Sequence, residues 1–226
     1  MAEKKFEKAT AGERLSQFML RHRMPIIVFA AVVVAAIVVY GISAAAVSSS
    51  RAKGISFVDT VEYDLTNDSA SLSDAEIESK RSDAMTKLTP YLGRGGIVGV
   101  RANMIAAGIA YGRKDYATAK SYWTAAAAKG AKSYTAPLAY YNIAVCDENT
   151  GNLAEAAASY GKAADEKDFP LVSHARFSEG RVYEALGDYK KASESYTKLT
   201  ANALGDAWTN LAETRLIVLK AEGKIE

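Results

Sequence analysis

Residues 177–196 read FSEGRVYEALGDYKKASESY. Phe177, Gly180 and Tyr183 lead into Gly187-Asp188-Tyr189, after which come Ala192 and Tyr196. Spacings of three and four residues on both sides of a glycine describe two short helices joined by a tight turn. Gly180 and Ala192 allow close helix approach, and the tyrosines fill the space between neighbouring helices. The same set stands 36 residues upstream as Ala144, Gly151, Leu153, Ala156 and Tyr160. A further copy, offset by 37, places Tyr116, Ala119, Trp123 and Ala126 opposite Leu153, Ala156, Tyr160 and Ala163. A period of this size denotes a solenoid of supersecondary units, each burying its apolar face on the next.

These residues resemble the tetratricopeptide repeat, whose period is about 34 residues. The third copy fits best. The second has Tyr140, Ala144, Gly151-Asn152-Leu153, Ala156, Tyr160 and Ala163, with Asp147 where a tyrosine is expected. The first has Gly108, Tyr111, Asp115-Tyr116, Ala119, Trp123 and Ala126, and its turn reads one residue shorter. The resemblance implies an all-α, right-handed solenoid of helical hairpins over residues 97–203, closed by a capping helix in 204–226 with Trp208, Leu211, Ile217 and Leu219 as its apolar contacts. It also implies a partner-binding groove lined by the first helix of each hairpin. Carried over by position, the groove comprises Ile105 and Ile109, then Tyr141, Val145 and Asn149, then Ser178, Arg181 and Ala185, and finally Thr209 and Glu213. The Lys and Asn clamp with which one class of these repeats grips a C-terminal carboxylate is missing, since Tyr141, Val145, Ser178 and Arg181 stand at the comparable places. The groove as read is mixed and mildly apolar, which suits an extended or helical protein segment.

Working towards the N-terminus, residues 48–96 read as an anchor extension and an irregular helical pair. Phe57, Val61 and Leu65 share one helical face. Asn67 to Leu72 reads as a loop, and Ser73 with Glu76 forms a capping-box pattern that starts a helix running to about Leu92, before Gly93, Gly95 and Gly96. Residues 25–46 read PIIVFAAVVVAAIVVYGISAAA without a charge. A bilayer core requires about 20 apolar residues in a helix, so residues 25–47 are expected to cross a lipid bilayer. The small residues Ser43 to Ala46 also fit a signal-peptide cleavage site, although the basic head is long and the apolar core exceeds the usual ~7–15 residues. Residues 1–24 hold six basic and three acidic side chains, which places this head in the cytoplasm and the repeats across the membrane by the positive-inside rule. The opposite topology, with repeats in the cytosol as in an organellar import receptor, is the alternative.

Charge and motif content narrow the function. Of 28 basic and 26 acidic residues, 22 and 23 lie after residue 50, so the repeat portion is near neutral and has no footprint for nucleic acid. Cys146 is a lone cysteine and reads as a buried apolar residue. His22 and His174 have no metal-ligand spacing, and His174 reads as a surface or capping residue. No phosphate loop, nucleophile elbow or HExxH motif is present, Gly93-Arg94-Gly95-Gly96 has no strand before it, and Asp165-Glu166-Lys167-Asp168 reads as a solvated turn. The chain is therefore expected to be no enzyme and to need no cofactor or metal. Cytoplasmic head, single span and repeats beyond the membrane together resemble the YfgM-type ancillary subunit of the bacterial Sec translocon. That resemblance implies protein partners among translocon subunits and periplasmic chaperones at the inner membrane. A structural part of another envelope machine (flagellar motor or secretion assembly) and an accessory subunit of an enzyme are the alternatives.

Overall fold

The structure, a computed structural model, describes residues 10–131, 133–166, 168–201 and 205–226. The lysines and acidic residues of 1–9, Lys167 of the charged turn and the junction at 202–204 lie outside the described residues. The chain divides into two compact units, Met1–Ala52 and Lys53–Glu226.

The first unit contains α1 (Ala11–Arg21) and most of the apolar part of α2, a helix that runs Arg23–Thr66. Thr10 and Glu13 cap α1 reciprocally. Pro25 falls in the first turn of α2, where its missing N–H is harmless. By length and composition α2 could cross a membrane, and none of its apolar window is buried in protein.

In the second unit the remainder of α2 packs with α3 (Asp74–Leu92) and α4 (Gly96–Gly112). Ser73 and Glu76 cap α3 as the sequence predicts, with the Ser73 N–H donating to Glu76 Oε2 at 2.8 Å. The buried face of α2 is Gly54, Val58 and Val61, joined by the half-buried Leu65. Phe57 lies off this face, 38% exposed and stacked on Tyr91, because Gly54 and not Phe57 faces the close approach of α4.

Three hairpins follow: α4 with α5 (Tyr116–Lys129), α6 (Thr135–Asn149) with α7 (Leu153–Ala164), and α8 (Val172–Ala185) with α9 (Tyr189–Ala201). A last helix, α10 (Ala207–Ala221), packs on α8 and α9. Every element among the described residues is helical.

The hairpin turns share one geometry. A residue in the left-handed region, Lys114 (φ 61), Gly151 (φ 77) or Gly187 (φ 76), is followed by Asp115, Asn152 or Asp188, whose N–H returns to Ala110, Asp147 or Tyr183. The first turn is thus no shorter than the others. Lys114 occupies the glycine's place, and a lysine there gives no turn signal in the sequence.

Trp123, Tyr160 and Tyr196 anchor the second helices at 8%, 2% and 0% exposure. Tyr196 lies so close to Gly180 that a Cβ there would meet its ring at 2.5 Å. The first copy keeps the pattern one residue earlier than the sequence reading places it. Gly108 is exposed, with open space around its Cβ position, and Tyr111 is 38% exposed, whereas Ala107 and Ala110 make the contacts around Trp123. Asp147 is fully buried, and the Lys120 ammonium reaches it from α5 at 2.6 Å. In α10 the packing face is Trp208, Ala212, Leu216 and Leu219, while Leu211 and Ile217 are exposed.

Candidate functional site

Successive first helices meet along one face. Tyr141 on α6 shares a 3.0 Å hydrogen bond with His174 Nδ1 on α8. The His174 ring stacks on Trp208 of α10 at 3.9 Å and 8°. Phe177, one turn along α8, lies 5.5 Å from Trp208, and Tyr160 of α7 presents its edge to Tyr141 at 5.3 Å. All of these except the buried Tyr160 are half-buried. Two consecutive hairpins and the closing helix thereby contribute to one aromatic ladder.

Beside the ladder runs a polar device that occurs twice. Glu148 accepts from the Tyr160 hydroxyl at 2.6 Å and from Arg181 Nη2 at 2.7 Å. Glu184 accepts from the Tyr196 hydroxyl at 2.6 Å and from Arg215 Nε at 3.0 Å, and Arg215 Nη2 also donates to it. Each carboxylate ties its own hairpin's second helix to the first helix of the next unit. Burial, reinforced by the bonded carboxylate, pushes both tyrosine hydroxyls far above the usual range. Burial works against Glu184, yet the bonds from Arg215 and Tyr196 outweigh it and hold the carboxyl below its ordinary value. Burial and the Arg181 charge lower the His174 pKa from its usual 6.5, so the ring is neutral at neutral pH.

The sequence-derived groove residues divide by burial. Tyr141 and Val145 are half-buried, and Asn149, Arg181, Ala185 and Glu213 are exposed. Asn149 Nδ2 is within 3.5 Å of the Tyr111 hydroxyl, which extends the face towards α4. Ile105 and Ile109 are packed against α2 and α3 at 8% and 3% exposure. Ser178 and Thr209 are also interior, at 3% and 4%. These four are packing residues here: the turns align at Lys114, Gly151 and Gly187, so Met104 and Gly108 stand level with Tyr141 and Val145, and Phe177 with Tyr141, which leaves Ile105, Ile109 and Ser178 one residue off the open face, while Thr209 is covered where α10 packs on α8. His174 and Trp208, read from sequence as a capping residue and a cap contact, belong to the ladder instead. The 36-residue recurrence of Glu148 with Glu184 and of Tyr160 with Tyr196 was a usable signal for the polar device.

The face offers flat aromatic surface, one exposed guanidinium and one carboxamide, a set suited to recognition. Among the described residues no group of three or more His, Cys, Asp or Glu is placed to hold a metal. A separate cleft of about 460 Å³ opens near Tyr134, Pro137, Phe169 and Pro170.

Comparison with known proteins agrees with this geometry. The Tetratricopeptide repeat family model matches residues 138–167 and 173–203, the second and third hairpins. A "TPR repeat-containing protein" of Treponema pallidum is 33% identical over 130 residues, covering 58% of this chain and 54% of that protein. The matched region therefore spans about half the length of that relative. The crystal structure of the nearly identical TPR-like repeats of a proposed Podosopora anserina kinesin light chain superposes with a TM-score of 0.56, covering 75% of this chain and 86% of the other at 13% identity. At that identity the likeness concerns the fold. The second and third hairpins are thus similar to tetratricopeptide repeats within an all-α, TPR-like solenoid, and such repeats form scaffolds for protein–protein interaction.

Proposed function

We propose that this chain is a membrane-anchored adaptor of the bacterial envelope that holds a protein partner on the face shared by α6, α8 and α10. Residues 25–47 cross the lipid bilayer of the inner membrane, residues 1–24 lie in the cytoplasm and the repeats lie beyond the membrane. The partner lays an extended or helical segment along Tyr141, Val145, Asn149, Arg181, Ala185 and Glu213. Its apolar side chains meet the aromatic ladder, and an acidic group meets Arg181. Export-linked proteins, namely translocon subunits or periplasmic chaperones, are the favoured partners.

The observation that carries this reading is the half-buried ladder Tyr141–His174–Trp208, contributed by α6, α8 and the closing helix α10. Binding hot spots concentrate where aromatic groups and arginine stand in partly desolvated surroundings, and the ladder with Arg181 has that composition. The apolar, wholly exposed first half of α2 supports the anchor, and the basic head supports its direction.

The test is photocrosslinking in intact cells from a photoreactive phenylalanine analogue at position 141, with Glu155 on the exposed side of α7 as the comparison site. Discrete protein adducts from 141 and few from 155 are expected. Adducts from 155 alone would move the binding surface to the second helices. Adducts with a single fixed envelope assembly would make the chain a structural component of that machine.

A further inference from the structure

Helix α1 has a face that nothing among the described residues covers. Its sequence from Ala11 to Arg21 is AGERLSQFMLR, and none of its residues is buried. Leu15, Phe18 and Met19, at i, i+3 and i+4, fall on one side with Ala11 and are 60%, 57% and 53% exposed. Gln17, Ser16 and Glu13 take the opposite side, where Leu20 is the one apolar residue among them. Arg14 and Arg21, two turns apart, line one edge of the apolar strip. The pattern differs from that of α2, which is apolar all round over residues 25–46. A helix apolar on every side suits the bilayer interior, and a helix with one broad apolar strip and a basic edge suits its surface.

The helix also has definite ends. The Thr10–Glu13 capping box fixes its start and engages the only acidic side chain in the helix, with Glu13 Oε2 accepting from the Thr10 N–H at 2.8 Å. At the other end His22 leaves the helical region (φ −108, ψ 20), and its N–H closes α1 on the Phe18 carbonyl at 3.0 Å. Helix α2 starts afresh at Arg23. The break separates the one-sided helix from the uniformly apolar one, and Arg21, His22 and Arg23 stand at it.

We propose that α1 is an interfacial helix that lies on the cytoplasmic membrane surface, with Leu15, Phe18 and Met19 in the boundary between headgroups and acyl chains and Arg14 and Arg21 paired with anionic lipid phosphates. This rests on the reading of residues 25–47 as a membrane anchor. With that anchor, α1 is held at the lipid surface by the next helix of the chain, and its exposed apolar strip meets lipid as the continuation of the same contact. Juxtamembrane basic residues are attracted by the negative surface potential of that leaflet.

The experiment uses the full chain with Cys146→Ala, carrying one nitroxide at Phe18→Cys or at Gln17→Cys. Each is reconstituted into vesicles of phosphatidylcholine with phosphatidylglycerol, and collision rates with oxygen and with a water-soluble nickel chelate are measured. The oxygen-to-nickel ratio is expected to be several-fold higher at 18 than at 17, and the difference should shrink when Arg14→Glu and Arg21→Glu are added. A chain that inserts, with a label at 36 deep in lipid, but gives equal ratios at 17 and 18 overturns the interfacial helix and leaves the anchor standing. A protein rather than a lipid would then be the cover of this face. A label at 36 that remains water-accessible overturns the anchor and this proposal together.

Discussion

Gly180 shows how one missing side chain sets the spacing of two helices. A Cβ at this position would sit 2.5 Å from the ring of Tyr196, which is fully buried and held at its hydroxyl by Glu184. Gly180→Ala should therefore lower stability by about 1–3 kcal/mol, the usual cost of overfilling a packed interior. Gly108 in the first hairpin, one residue past Ala107, which takes the place of Gly180, faces open space, and Gly108→Ala should raise stability by about 0.5–1 kcal/mol through helix preference alone. Urea denaturation of the two variants compares them, and equal effects would refute the contact at Gly180. Cys146, 1% exposed and with its thiol pKa pushed to about 11 by burial and by the Asp147 charge, should resist thiol reagents at neutral pH until the repeats unfold. Labelling that proceeds at the rate of a free thiol in the native state would contradict that placement. The sequence pattern made Gly180 and Tyr196 legible, because their spacing belongs to the repeat, and the burial of Cys146 was legible from the apolar character of a lone cysteine. It misplaced Gly108 and Tyr111 by one residue, because the turn at Lys114 carries no glycine to mark it and the copies align there with an offset of 37, so that Ala107 and Ala110 take the places of Gly180 and Tyr183.

Two features of the elements go beyond the helical pattern. The first is the turn at Lys114, where a lysine holds a left-handed conformation that Gly151 and Gly187 adopt without strain. Lys114→Gly should stabilise the chain by about 1 kcal/mol, the low end of the cost of that conformation for a residue with a Cβ. A lower melting temperature in this variant would show that the lysine side chain contributes more than its backbone costs. The second is the joint at Glu184. Its carboxyl titrates below the ordinary value in the fold, so its stabilisation is present above the unfolded value and is lost as the pH falls through the folded one. Glu184→Gln should cost about 1–2 kcal/mol at neutral pH, and the difference from the parent should narrow as the pH drops below about 4.3, the ordinary glutamate value. Thermal melts across that range measure it, and a constant difference would remove Glu184 from the acid response. The hairpins were legible in the sequence because helices and turns obey local spacing. The joint was not, since Glu184 and Arg215 lie 31 residues apart and pair only once the units have stacked.

For the whole molecule, composition had already separated an apolar, charge-free stretch from a near-neutral repetitive remainder, and the division at residue 52 falls just past that stretch. The groove was legible only in part. Positional transfer from the repeat pattern found Tyr141 and Arg181, but it could not foresee that His174 and Trp208 stack across two units, because such a contact depends on how α10 sits on α8. The central claim is that a single anchor holds the repeat array on the far side of the inner membrane. Its most direct test is protease digestion of intact spheroplasts and of inverted inner-membrane vesicles, followed with one antibody to the repeats and one to the head. The account predicts that the repeats are cut in spheroplasts and protected in inverted vesicles, with the head behaving the opposite way. Repeats that are protected in spheroplasts and cut in inverted vesicles, or that leave the membrane in alkaline carbonate, would contradict it.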